Sequence, residues 1–162
     1  MSGSPPSGSH VWNIYGANWI DYTPNPRFAV YSPSSSADVV WDKETGLVWE
    51  RSPSTQKVAW DVSIVSSFAK VLAGRMGWRL PAMEELLSLS DPTQSGIKLP
   101  AGNPFQNIQS DYFYWSSTLG MSSPPTFAWG YDFGNGSSSN VLKTAPAYVW
   151  LVRGGYGHDY PY

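Results

Sequence analysis

Chemistry has few places to reside in this chain. The two histidines, His10 and His158, stand at opposite ends of 162 residues, and neither has neighbours at metal-ligand spacing. His10 reads as linker and His158 as surface tail, so no metal site is expected. Cysteine is absent, which removes disulfides, thiolate metal sites and cysteine nucleophiles. Hydrolysis would need a nucleophile beside a base, or two carboxylates facing across a cleft. Glu84 and Glu85 are adjacent, about 100° apart around a helix, so one substrate does not meet both. Asp132 alternates with Trp129, Tyr131 and Phe133 and points away from them. These residue types argue for a protein that is not an enzyme and uses no cofactor.

The aromatic residues are the better candidates. Nine Trp and ten Tyr against 14% charged residues are more large rings than one core hides, so some face solvent or a ligand. Phe127, Trp129, Tyr131 and Phe133 share one face of a strand, for which core packing is the simpler account. Tyr148, Trp150 and Val152 share a face of the last strand. Ser122-Ser123-Pro124-Pro125 and Ser137-Ser138-Ser139-Asn140 read singly as solvated connections. Joined with Tyr112, Tyr114 and Trp150, they supply the Tyr/Ser/Gly/Asn/Trp composition of adaptable binding surfaces. The expected binding set is therefore Tyr112, Tyr114, Trp129, Tyr131, Asn140, Tyr148 and Trp150, with a glycan or a protein as partner. A formal charge of −2 and a pI near 5.5 offer no basic field to nucleic acid or an anionic membrane. No apolar run is long enough for membrane insertion.

The elements that must position these rings are organised around Gly77-Trp78-Arg79-Leu80-Pro81-Ala82-Met83-Glu84-Glu85-Leu86-Leu87. Trp78 and Leu80 alternate with Arg79, which suits an extended arm with one buried face. Pro81 fits the first position of a helix running to Leu89, with Glu84 and Glu85 near its positive end. A longer helix is expected over Trp60–Ala73, its broad apolar arc largely covered and Gly74 capping it. Val39-Val40-Trp41 and Leu47-Val48-Trp49 flank a turn with Gly46 at the left-handed position. Further strands are expected at Arg27–Tyr31, Phe113–Thr118, Phe127–Phe133 and Tyr148–Arg153, with a long irregular stretch over 93–111. Residues 1–10 read as a linker or expression scar without a signal peptide's apolar segment, and 11–162 as a single α+β domain.

Trp78-Arg79-Leu80-Pro81 followed by a Glu-Glu-Leu helix resembles the signature of the Lcl C-terminal domain family, found at the end of bacterial collagen-like adhesins. Other pieces follow in the family's order: Asp42-Lys43-Glu44-Thr45-Gly46-Leu47-Val48-Trp49, the Trp60 helix, Tyr114-Trp115-Ser116-Ser117-Thr118, Ala128-Trp129 with Asp132-Phe133, and Tyr148-Val149 with Val152-Arg153-Gly154-Gly155. The resemblance covers about 38–155. It implies a C-type-lectin-like fold of the formylglycine-generating-enzyme-like branch, an extracellular or cell-surface location, and ligand binding through the C-terminal half. Relatives that bind sulfated glycosaminoglycans do so as trimers, which leaves a homotrimer open here. Relatives serving diversity-generating retroelements carry their variable residues near the C-terminus. The alternatives are an enzyme or enzyme subunit without the cysteine chemistry, or a structural trimerisation domain. The calcium-binding tripeptides of sugar-bridging lectins, Glu-Pro-Asn, Gln-Pro-Asp and Trp-Asn-Asp, do not occur. Where the family pattern commonly has Arg and then Cys after Tyr148-Val149, this chain has Trp150 and Leu151. That points to Trp150 as an exposed recognition ring and Leu151 as core.

Overall fold

The computed structural model describes residues 19–22, 24–32, 38–122 and 124–154. The linker over 1–10, the start of the aromatic arm and the tail from Gly155 onward lie outside the described residues. Along the chain run β1 (Ile20–Asp21), β2 (Phe28–Tyr31), β3 (Val39–Asp42), β4 (Val48–Glu50), α1 (Trp60–Ala69), α2 (Met83–Ser88), β5 (Tyr114–Leu119), β6 (Phe127–Asp132), β7 (Ser137–Leu142) and β8 (Val152–Arg153). The strands form two antiparallel sheets, ordered β1-β2-β3-β4-β8 and β5-β6-β7, and the chain is α+β.

The β3–β4 turn explains its own sequence. Asp42 is fully buried yet fully engaged: Arg27 donates through Nε at 2.8 Å and Nη2 at 2.6 Å, Thr45 Oγ1 at 2.8 Å and the Glu44 N–H at 3.1 Å. With its lone pairs all used, the carboxylate has the partners that offset its burial. Gly46 takes φ +76°, the left-handed value expected for it.

Arg79 is the hub of the organising stretch. Its backbone pairs in both directions with Val152 at 3.0 Å, and its guanidinium grips Glu85 bidentately at 2.8 Å on each arm while reaching the Gly154 carbonyl. Glu85 Oε2 in turn accepts the Ala82 N–H at 2.7 Å, closing an orphan donor at the start of α2. Trp78 and Leu80, either side of Arg79, are buried. α2 begins later than Pro81 suggests. Ala82 is the extended N-cap (φ −66°, ψ 162°), and the Pro81 carbonyl instead accepts the Ser117 N–H at 2.8 Å, fastening the arm to β5.

α1 departs from expectation in length and in facing. It stops at Ala69, and Lys70 is extended. Leu72 and Arg75 then bond reciprocally at 3.0 and 2.9 Å around Ala73 (φ 50°) and Gly74 (φ 72°). Two successive positive φ values make a two-residue hairpin turn, so Gly74 serves that turn rather than a helix cap. The buried positions of α1 are Ser63 and Ser67, while Val65 (70% exposed) and Phe68 (67%) face outward. Ser63 Oγ donates to Trp60 O at 2.6 Å and Ser67 Oγ to Ile64 O at 2.7 Å, so their hydroxyls are satisfied within the helix. Small, self-bonded side chains let the backbone approach its neighbours, and the bulky residues take the outside.

Two strand expectations change as well. The last strand is Val152–Arg153 alone; upstream, Tyr148 bridges Tyr114 in parallel and the Leu151 carbonyl accepts the Glu50 N–H. The Ser137–Asn140 connection is part of β7, paired with β6 over its whole length. Serines carry little strand preference; here the turn after Asp132 and the β6 ladder decide. Each face of the larger sheet carries a core cluster. Ala29, Trp41 and Val48 share one with Trp78 and Trp115, while Val40, Trp49 and Val152 share the other with Leu86, Phe133 and Trp150.

Candidate functional site

The seven residues singled out in the sequence do not form one surface. Trp150 is completely buried; its ring meets Trp49, Phe105 and Phe133 edge-on, and its indole N–H donates to the Glu50 carbonyl at 2.8 Å. The expectation of an exposed Trp150 is therefore corrected: the ring next to a core-facing β4 is itself core. Leu151 is buried, as expected. Tyr114 is also fully buried, its oxygen accepting the Gln109 N–H at 2.7 Å, and burial raises its pKa. Tyr131 is buried, with its hydroxyl paired to Ser90 Oγ. Tyr148 is buried, and its hydroxyl donates to Asp111.

Trp129, Asn140 and Tyr112 remain accessible. The β6–β7 register places Trp129 directly opposite Asn140 and Phe127 opposite Leu142, so the four share one face of the smaller sheet. Leu142 is 49% exposed. Among the described residues neither the Trp129 indole N–H nor the Asn140 amide is engaged in a hydrogen bond, so both are available to a ligand. This is a strip of ring faces with two free polar groups; the sequence sets Phe127 on the Trp129 face as core, and Leu142 is the member that sequence reasoning missed. Its signal was the alternation of β6 continued across a turn into β7.

A second cluster gathers residues remote in sequence. Lys57 Nζ lies 4.8 Å from the ring centroids of both Tyr112 and Tyr148, and donates to Asp111 Oδ2 at 3.1 Å. The Tyr148 hydroxyl donates to Asp111 Oδ1 at 2.8 Å. The Tyr148 hydroxyl and the Lys57 ammonium hold the Asp111 carboxyl below the usual carboxylate range, and Asp111 raises Lys57. Nothing in local sequence pattern joins Lys57 to Asp111, 54 positions away, or to the two tyrosines beyond it.

Charge is largely paired off. Among the described residues Arg27, Lys43, Arg51, Lys57, Lys70, Arg79 and Lys143 each form an ion pair with a carboxylate. Cations so paired offer a polyanion little attraction. Glu50, 4% exposed, has its pKa raised by burial despite Lys70 at 2.9 Å. Among the described residues no group of three or more His, Asp or Glu is placed to hold a metal ion, and no helix is long and apolar enough to cross a membrane.

No curated protein matches the sequence. A family model, the Lcl C-terminal domain, matches residues 38–153. That span runs from the start of β3 to the end of β8 and takes in the Asp42 turn, the Arg79–Glu85 hub and the β6–β7 strip; the chain belongs to the Lcl C-terminal domain family.

Proposed function

We propose that this domain is a non-enzymatic binding module of a bacterial surface adhesin, recognising a neutral glycan through the Trp129–Asn140 strip of β6 and β7. The observation that carries the proposal is the pairing of an accessible indole with an unengaged amide on one sheet face. A sugar ring stacks its C–H face on an aromatic side chain, while amide and indole N–H groups bind its hydroxyls. The pairing of most cations favours an uncharged saccharide over the sulfated ligands of related adhesins. The carboxylates of Asp42, Glu85 and Asp111 are each gripped by a cation, which supports binding over acid–base catalysis.

A glycan array followed by titration tests this. Trp129→Ala and Asn140→Ala should each abolish most binding, with Asn140→Ala leaving the denaturation midpoint unchanged because its side chain is exposed. Undiminished binding by Asn140→Ala and Trp129→Ala together refutes the strip. A protein ligand is the second reading, favoured by the exposed Val65 and Phe68 of α1; Phe68→Ser would then weaken binding while the two strip variants would not.

The C-type-lectin-like branch belongs to the same proposal. It is supported by two helices set against antiparallel sheets and by early and late strands meeting in one sheet. Surface location and trimeric assembly follow from the same resemblance, and light scattering of the purified chain checks the latter.

A further inference from the structure

Lys57 sets its ammonium over two tyrosine faces and against one carboxylate. Two ring faces and a carboxylate around a single nitrogen are the parts with which proteins hold organic ammonium groups. The walls stand without Lys57. The Tyr148 backbone is bonded on both sides, to the Phe113 carbonyl at 3.0 Å and from the Trp115 N–H at 2.9 Å, and its hydroxyl is fixed on Asp111. The Tyr112 ring packs edge-on against Phe113 at 5.2 Å. Lys57 is held by its tip, and it follows the exposed Ser54, Thr55 and Gln56. The Asp111 side chain is 63% exposed and that of Lys57 31%, so the ion pair is open to solvent. An exposed ion pair on a flexible stem is readily exchanged for a better-fitting cation.

We propose that Asp111, Tyr112 and Tyr148 form a recognition site for a phosphocholine-type group, a trimethylammonium carried on a phosphodiester, with Lys57 as its built-in occupant. A trimethylammonium is less hydrated than a lysine ammonium and covers more of each ring face, so it takes the place over the rings. The displaced Lys57 keeps the reach of its stem and pairs with the phosphate. Each charge then has a partner: trimethylammonium with Asp111, phosphate with Lys57. Choline alone leaves Lys57 uncompensated, and glycerol phosphate offers the rings nothing. The site shares no residue with the Trp129–Asn140 strip, so the two proposals stand or fall separately.

The experiment is a titration of the wild-type chain with glycerophosphocholine, choline and glycerol phosphate, read by NMR shifts of the Tyr112 and Tyr148 rings. Glycerophosphocholine should bind about tenfold more tightly than choline, and glycerol phosphate not at all. Lys57→Ala should erase that preference while retaining choline, and Asp111→Asn should lose about tenfold for both. Denaturant melts verify that both variants remain folded. Co-sedimentation with phosphatidylcholine vesicles would assign a bilayer headgroup as the source, and its absence beside glycerophosphocholine binding a soluble or glycan-borne one; either supports the site. No ring shifts in wild type and Lys57→Ala, or equal binding by Asp111→Asn, overturns the proposal.

Discussion

Trp150 touches Trp49, Phe105, Tyr114 and Phe133 and donates to the Glu50 carbonyl, so removing it opens a cavity and orphans an acceptor. Trp150→Ala should cost about 3–5 kcal/mol, matching Trp78→Ala in denaturant melts. Titration behaviour at single residues has opposite signs in two places. Burial raises the Glu50 carboxyl, with Lys70 opposing, so its stabilising contribution is present below the ordinary carboxylate range and lost as pH rises through its raised value. Glu50→Gln should therefore gain stability relative to wild type between about pH 4 and pH 7, as thermal melts at the two pH values would show. Asp111 is held low by Tyr148 and Lys57, so the contribution of its cluster is present above the ordinary range and lost as pH falls through the depressed value.

At the scale of elements, α1 and the Arg79 hub each make a prediction. The inward face of α1 is made of Ser63 and Ser67, and its outward face carries Val65 and Phe68. Ser67→Leu forces a large group into a close contact and should cost about 1–3 kcal/mol. Phe68→Ser should stay within about 0.5 kcal/mol of wild type. A helix facing the way its hydrophobic arc suggests would give the reverse order in denaturant melts. Arg79 holds α2 and the end of β8 together through Glu85 and Gly154. A lysine cannot reproduce that fork, so Arg79→Lys should cost about 1–3 kcal/mol, reduced from a fully buried pair by partial exposure. Combined with Glu85→Gln the losses should be less than additive, because both substitutions break one network.

At the scale of the molecule, the pairing of cations among the described residues sets the expected response to salt. Glycan binding at the β6–β7 strip should change little between about 50 and 200 mM NaCl, whereas a polyanion-binding surface would lose affinity steeply over that interval. Isothermal titration at the two salt concentrations distinguishes them. The two proposed sites, one on a sheet face and one where residues 57, 111, 112 and 148 meet, lie on separate sets of residues.

What the sequence by itself determined is what local chemistry controls. The turn with Gly46 at its left-handed position and the placing of Glu85 at the start of its helix were legible because they depend on residues a few positions apart; the side-chain bonds that close both were added by the structure. The α+β class followed from the same short-range patterns. What only the tertiary structure decided is which face of each element turns inward. A helix with apolar residues on much of its circumference packs by whichever side lets the backbone come closest, so Ser63 and Ser67 went in and Phe68 stayed out. Trp150 was read as exposed because the family pattern commonly has Arg at that position, which says nothing of this chain's packing; core clusters on either side of the larger sheet cover both of its faces. Lys57 met Asp111, Tyr112 and Tyr148 only because a fold brings distant segments together; no spacing along the chain records that meeting.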